Sequence, residues 1–293
     1  LEVDEAFDSP VGLENYQLSV ELYEDLSDLI SKIKAQKPNL TTEELLLEVE
    51  KGRATLEQRY IASGRFPYGE IGKKVFNTKF EELKEFTVSL IAQEDSRQQW
   101  DVEIDLSVPE LGLRLIGDID RLFGGDYLPF RLGKEAIKHQ LPELIRYLAL
   151  ASNDLSKSSI QSMNYKSIDK TSQLIIPADA EPLKDLIYFL SLYKEGLQKP
   201  LPFIPACFEK YQAKIKGKSP EKEQEEGLKE AHTQWAERGF GSPVPAECEN
   251  AVNKLCFTEQ FPGDNPDFKD IFTALLEGVS EIFSKYKWTK EAK

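Results

Sequence analysis

The chain has 293 residues and a formal net charge of −14 at pH 7. Hydrophobic residues make up 40% of it and charged residues 30%, which is typical of a globular protein with a hydrophobic core. No stretch approaches the roughly 20 apolar residues of a membrane-spanning helix, so the sequence excludes a membrane span. The negative net charge also argues against a domain that binds DNA through its overall charge, because such binding depends on positive side chains that neutralise the phosphates.

Cysteine and histidine are scarce in this sequence. The three cysteines form no CxxC pair, and His139 and His232 are the only histidines. We therefore expect neither a disulfide framework nor a zinc site, and we expect a reducing, cytoplasmic environment. The chain starts at Leu1 and its single methionine is Met163, so we expect a fragment of a longer protein. Its first residues lack the features of a signal peptide.

The first 95 residues predict a helical segment. Apolar residues recur at helical spacing over residues 13–34, and Pro38 ends that helix. Thr41 and Glu44 predict a capping box at the start of a second helix, and Gly64 predicts its C-terminal end. After a turn, residues 71–93 predict a long amphipathic helix.

The hydrophobic period then changes. Residues 101–108, "DVEIDLSV", alternate strictly between polar and apolar, which predicts a half-buried strand. Residues 113–123 and 127–132 predict two further strands joined by a "GGD" turn. A helix over 134–151, short strands over 160–165 and 173–176, and helices towards the C-terminus follow. The predicted order is α–βββ–α–ββ–α, a mixed α/β fold.

The stretch 113–151 has the layout of a PD-(D/E)XK nuclease core. Such nucleases carry acidic residues on two adjacent strands, which hold Mg²⁺, and a lysine beside the second acid. The RecB-like branch reads Gly-x-Ile-Asp-Arg, then Asp-Tyr-Lys-x-Gly, then Gln-Leu-x-x-Tyr. Here Asp120 stands in the first element, Pro129 and Arg131 stand in the second, and Gln140 and Tyr147 stand at the third. We therefore expect a restriction-endonuclease-like core sheet with helical additions at both ends.

The catalytic residue types are missing from these positions. Pro129 replaces the second acid and has no side-chain ligand for a metal. Arg131 replaces the lysine, and its guanidinium is permanently charged. RecB-like nucleases also use a histidine four residues after a glycine, and counting from Gly69 this position is Lys73. We interpret Lys73, Asp120, Pro129, Arg131, Gln140 and Tyr147 as a vestigial site without catalytic or metal-binding function.

Two alternatives to this interpretation stay open. The chain is an active divalent-metal nuclease if Asp120 finds unrecognised partners such as Glu103, Asp105 or Asp126. The other alternative is a general interaction module without a nucleic-acid role, which the acidity of the chain allows. The plainest interpretation of Asp120 is a surface carboxylate paired with Arg121 or Arg131. The plainest interpretation of Gln140 and Tyr147 is helix-surface and packing residues.

Segments along most of the chain resemble one known family. They carry a Tyr-Gln-Leu segment, a Pro-Tyr-Gly turn within residues 62–72, a Glu-Ile-Asp-Leu strand and a Tyr-x-Glu-Gly-x-x-x-Pro-Leu motif over residues 193–201. In this order and at these separations they resemble the C-terminal region of exodeoxyribonuclease V gamma chains, the RecC family. Beyond about residue 216 the resemblance is loose.

The resemblance implies a nuclease-like domain without nuclease residues. It implies a heterotrimer with a RecB-type helicase–nuclease and a RecD-type helicase, in which the complex splits duplex ends and guides single strands. It also implies that the domain helps to hold the RecD-type subunit, and that Mg²⁺ and ATP belong to the partner subunits. We expect a helical lead-in over residues 1–95, a nuclease-like core over 96–216 and a helical extension of the same domain over 217–293.

Basic residues near the vestigial site form a candidate DNA-contacting patch. The predicted contacts are Lys73, Lys74, Arg131, Lys134 and Lys138, with Lys79 as a further candidate. The plainest alternative is a solvated charged face. The triplet at residues 217–219 resembles the end of a phosphate-binding loop, but Gln212 stands where that loop needs glycine. We therefore expect no ATP binding by this chain.

Overall fold

The computed structural model describes residues 12–67, 69–95, 99–153, 160–215, 220–236, 246–257 and 260–292. Within them, helices lie on both sides of a mixed, mostly antiparallel sheet of seven strands. The first 11 residues of the predicted lead-in and the triplet at residues 217–219 lie outside the described residues. The division of the chain at residues 95 and 216 stays a prediction.

Three helices precede the sheet: α1 (Gly12–Gln36), α2 (Thr42–Ala62) and α3 (Gly69–Asp95). The predicted capping box is confirmed, because the Thr41 side chain accepts from the Glu44 backbone N–H while the Glu44 carboxylate accepts from the Thr41 N–H at 2.8 Å. Gly64 lies just past the end of α2 with φ +72°, the left-handed conformation that glycine adopts without cost. The helical prediction for this segment therefore agrees with the structure.

The hairpin of β1 (Gln99–Val108) and β2 (Leu113–Phe123) begins the sheet. Glu103 lies opposite Asp118 in its antiparallel register. One face is buried through Val102 and Ile104, while the intervening polar residues are exposed. The alternating sequence over residues 101–108 therefore predicted both the strand and its buried face. A register shift between Trp100 and Val102 marks a bulge.

The third predicted strand is interrupted. It forms two short pieces, β3 (Asp126–Tyr127) and β4 (Phe130–Arg131), and both run parallel to β5 (Ser162–Ser167). Pro129 lies between the two pieces, where it has no N–H to donate to a neighbouring strand. Its carbonyl still accepts from Lys166 N at 3.0 Å. The expected continuous strand over residues 127–132 is thus broken at its proline.

The remaining elements complete both layers. Helix α4 (Ile137–Ser152) connects β4 to β5, and β6 (Lys170–Ile175) pairs with β5. They are followed by α5 (Pro182–Gly196), α6 (Pro205–Lys214), α7 (Pro220–Ala236), α8 (Ala251–Phe257), α9 (Lys269–Lys285) and β7 (Lys287–Ala292). The sequence predicted helices in this part of the chain, but it did not predict the strand β7. The sheet order is β1-β2-β3-β5-β6-β7, with β4 beside β5.

Two hydrophobic cores hold the elements together. The larger core joins the buried face of the sheet to α4 and the later helices, with Tyr147, Phe208 and Trp235 almost completely buried. The second core joins α1, α2 and α3 to the region around β4, where Leu132 and Ile168 contribute. The interrupted strand is therefore where the helical lead-in meets the sheet. No helix in the described ranges is long and apolar enough to span a bilayer.

Candidate functional site

Asp120 is exposed near the end of β2, next to a distortion of the strand. The following residue, Arg121, has φ +62°, which is unusual for a residue with a Cβ. Leu122 pairs with Tyr127, and Leu128 N donates to the Arg121 carbonyl at 3.0 Å. Asp120 and Pro129, which we predicted at the acid positions of a nuclease motif, thus lie next to the observed pairing of β2 with β3.

The pairing that we expected for Asp120 is wrong. Arg121 Nε donates to the Leu128 carbonyl at 2.9 Å, and its guanidinium forms an ion pair with Glu94 on α3. The same guanidinium lies 4.5 Å from the centre of the Phe130 ring. These contacts turn Arg121 towards the helical lead-in. Asp120 has no hydrogen bond or ion pair to any residue that the structure describes.

Arg131 lies in a groove between α1, α3 and the segment after β4. Its guanidinium stacks over Tyr16 at 5.0 Å. Lys79 and Lys134 line the same groove, which has a volume of about 590 Å³. Glu82 is the acidic residue of the lining, and its carboxylate lies 3.6 Å from Lys79 Nζ. Because Lys79, Arg131 and Lys134 line this groove, we call it the basic groove.

Lys138, at the start of α4, adds to the positive potential near this groove, and His139 follows it in the same helix. Burial, together with the smaller effect of the charges of Arg131 and Lys138, lowers the pKa of His139 to about 4. His139 is therefore neutral at pH 7. The positive charges of Arg131 and Lys138 disfavour protonation of its imidazole.

The depressed pKa of His139 predicts a loss of stability in acid. Between about pH 6.5 and pH 4 the unfolded chain binds a proton at His139 that the folded chain does not, so the free energy of unfolding falls as pH falls. We expect His139→Gln to lose less stability than the parent between pH 7.5 and pH 4.5 in urea titrations. His232→Gln, at a half-exposed histidine, is the matched substitution for comparison. Parallel curves for the parent and His139→Gln would contradict this origin.

The other predicted DNA contacts do not join the basic groove. Lys73 lines a separate depression between α2 and α3 with Glu57 and Ile61, and its ammonium contacts Glu70 at 2.8 Å. Lys74 is exposed one residue further along α3. The structure therefore brings Arg131 and Lys134 together with Lys79 and places Lys73 at another surface.

Tyr147 lies inside the larger core, and Gln140 is buried near the start of α4. Tyr147 is fully buried, and its hydroxyl donates to the Gln161 carbonyl at 3.3 Å. Burial raises its pKa far above the usual value. Gln140 Nε2 donates to the Glu135 carboxylate at 2.6 Å, and the Ser172 hydroxyl donates to the same oxygen. Tyr147 thus packs in the core, whereas Gln140 is buried and hydrogen-bonded and does not lie at the helix surface.

Sequence reasoning missed Glu135. Its side chain is only 5% exposed, and it lines a cavity of about 500 Å³ near the start of α4, together with Gln140 and Trp288. The backbone N–H of Glu135 donates to Asp169 at 2.9 Å. A glutamate in the short polar run before a helix gives no local signal of burial, because its partners come from α4 and β6.

The residues that we predicted as a vestigial site do not fit a catalytic Mg²⁺ ion. Pro129 offers no side-chain oxygen and Arg131 is a cation, so Asp120 is the one carboxylate among these three residues. Two of the alternative ligands are engaged elsewhere: Asp105 accepts two hydrogen bonds from Arg114, at 2.7 and 2.6 Å, and Asp126 accepts one from Ser162 at 2.6 Å. The Arg114 contacts lower the pKa of Asp105. Across the described ranges, no three His, Cys, Asp or Glu side chains are grouped to hold a metal.

Comparison with known proteins agrees with the resemblance seen in the sequence. Residues 1–215 match the RecC C-terminal domain family. A curated relative, the RecBCD enzyme subunit RecC of Mycobacterium tuberculosis, is 26% identical over 142 residues, in strain CDC 1551 and equally in strain H37Rv. The alignment covers 47% of this chain and 13% of the relative, so the chain corresponds to a small part of that protein. On the match over residues 1–215, the chain belongs to the RecC C-terminal domain family.

Proposed function

We propose that this chain is a non-catalytic, nuclease-like domain of a RecC-type subunit in a cytoplasmic RecBCD complex. In this role it supports assembly with RecB-type and RecD-type subunits, chiefly the RecD-type subunit. It also guides DNA strands during repair of double-strand breaks by homologous recombination. The ATP-dependent helicase and exodeoxyribonuclease activities belong to the partner subunits, as do Mg²⁺ and ATP. The family match over residues 1–215 is the observation that carries the proposal.

The geometry around β3 and β4 supports the non-catalytic part. An antiparallel hairpin, an interrupted third strand, a helix and a parallel fourth strand follow one another, as in the PD-(D/E)XK arrangement. At the positions of the second acid and the lysine stand Pro129 and Arg131. Asp120 alone supplies too few ligands for a divalent cation, which takes about six oxygen ligands.

Incubation with linear DNA and Mg²⁺ or Mn²⁺ tests this part. We expect no cleavage by the purified chain, and none by Asp120→Ala. Asp118→Ala, at an exposed carboxylate of the same strand, is the control. Cleavage by the parent and by Asp118→Ala that disappears in Asp120→Ala would establish the alternative, an active nuclease that uses Asp120.

Co-expression with the other subunits tests assembly. We expect the full RecC-type subunit that contains this domain to co-purify with RecB-type and RecD-type subunits, and deletion of the domain to remove chiefly the RecD-type subunit. Retention of all subunits after deletion would favour a domain without an assembly role.

The basic groove is the candidate DNA contact. We expect Arg131→Gln/Lys134→Gln in the assembled complex to weaken binding of single-stranded DNA and to reduce its salt dependence by about 0.7 in log–log slope for each phosphate that the protein no longer neutralises. Lys73→Gln/Lys74→Gln removes the same charge outside the groove and is the control. A slope that changes equally in both double variants would remove the groove from the proposal.

A further inference from the structure

The free edge of the sheet at β1 has an unusual distribution of charge. Among the described strands β1 pairs with β2 alone, so its other side is a sheet edge. Along the exposed face of the hairpin, carboxylates occupy consecutive polar positions of both strands. They are Asp101, Glu103, Asp105, Asp118 and Asp120, all exposed. Among the described residues of this face the cation is Arg114, and its guanidinium is bound to Asp105.

Like charges lie directly opposite each other at the centre of this face. Glu103 and Asp118 are register partners, and such pairs place Cβ atoms about 5 Å apart, where like charges destabilise a sheet. Ile116, the register partner of Asp105, is 61% exposed beside them. Within the part of the chain that the structure describes, no element covers the opposed carboxylates or the exposed isoleucine on this side. An extended segment rich in Lys or Arg would pair its charged groups with the carboxylates and cover the isoleucine with its aliphatic side-chain carbons.

From these observations we infer that the free edge of β1 docks an extended basic segment of a protein partner. The segment adds a strand to the sheet and directs Lys or Arg at every second position onto the carboxylates. Carboxylates two residues apart on β1 are about 6.6 Å apart along the strand, which is also the repeat of side chains on one face of an added strand. The match of spacing and charge favours this occupant.

Other occupants fit the face less well. DNA presents phosphates, which five carboxylates repel. A second copy of this chain paired edge to edge would bring two acidic faces side by side.

One local contact has to be replaced on docking: Asn153 Nδ2 donates to the Glu103 carbonyl at 2.8 Å, and a backbone N–H of the added strand would take its place. The partner's identity as a subunit of the complex rests on the proposed function, but the chemistry of the edge does not.

A peptide of ten residues that alternates threonine and lysine is the probe, with fluorescence anisotropy as the measurement. We expect the chain to bind it and not the matching threonine–glutamate peptide. Glu103→Gln/Asp118→Asn is expected to weaken binding about fivefold, since exposed ion pairs contribute about 0.2–1 kcal/mol each. Glu43→Gln/Asp179→Asn removes the same charge from exposed positions elsewhere and is expected to bind like the parent. Because the double variant at β1 and β2 relieves repulsion, its melting temperature should equal or exceed that of the parent.

Backbone methylation of alternate residues in the lysine peptide separates edge pairing from attraction of charge alone. The methylated peptide keeps its lysines but loses the N–H donors, and we expect it not to bind. Equal binding of the methylated peptide would overturn docking at the edge. Equal weakening by the two double variants, or absent binding of the lysine peptide, would overturn the inference. Failure of the subunits to co-purify would count against the proposed function. The peptide measurements would still decide whether the β1 edge binds a basic strand.

Discussion

Gly72→Ala is expected to lower the free energy of unfolding by about 3–5 kcal/mol, among the largest effects of single substitutions. A Cβ at this position would lie 1.7 Å from the Pro67 carbonyl oxygen and 2.8 Å from its carbonyl carbon. Backbone atoms cannot move aside as the end of a flexible side chain can. The start of α3 would therefore have to separate from the turn before it. Urea unfolding followed by circular dichroism measures the change.

Gly64→Ala is the control for this prediction. Gly64 has φ +72°, and no atom lies within 4 Å of the position that a Cβ would take, so alanine there meets conformational strain of only about 1–2 kcal/mol. The comparison separates the close approach of two backbone segments from the general cost of replacing glycine. A Gly72→Ala loss no larger than that of Gly64→Ala would show that the turn adapts.

Phe86→Ala is expected to cost about 3–5 kcal/mol, because it empties a fully buried site where the helical lead-in meets the sheet. The Phe86 ring centre lies 6.0 Å from that of Phe130 on β4 and 6.5 Å from that of Tyr23 on α1. The ammonium of the buried Lys166 lies 5.5 Å from the same ring. Removal of the ring therefore takes away packing against three elements and a cation–π interaction.

Phe203→Ala provides the comparison for Phe86. Phe203 is half-buried at the margin of the larger core, with its ring centre 5.4 Å from that of Phe208. We expect it to cost clearly less, since less apolar area is removed from the interior. Chemical unfolding of both variants under identical conditions gives the two values. Equal losses would mean that the region around Phe86 collapses to fill the space.

The sequence contained enough information to locate the hairpin and the capping box, because both depend on neighbours within a few residues. Alternation over residues 101–108 requires only that one face be buried, and Thr41 and Glu44 contact each other directly. The sequence also identified the motif over residues 62–72, which contains Pro-Tyr-Gly and ends at Gly72. The reason for that glycine, its approach to the Pro67 carbonyl, needed coordinates.

The contacts around the vestigial site depended on distant residues and were harder to predict. Arg121 was expected beside Asp120, but Glu94 on α3 and the Phe130 ring attract its guanidinium instead. Six basic residues looked equivalent in the sequence, and the packing of α1 against the segment after β4 selected Arg131 and Lys134 for one groove together with Lys79. Charge is visible in a sequence, whereas its partner is decided by tertiary packing.

The position of β7 has a consequence for the order in which the fold forms. Its pairing with β6 joins residues 175 and 287, and residues 170 and 292, across most of the C-terminal half of the chain. During synthesis β6 therefore leaves the ribosome long before its outer neighbour exists, and its edge stays available to other strands meanwhile. Contacts so far apart in sequence form slowly, because the intervening chain must first be ordered. Strand β7 thus covers the edge of β6, and a nascent chain stopped at residue 286 would leave that edge exposed and prone to aggregation.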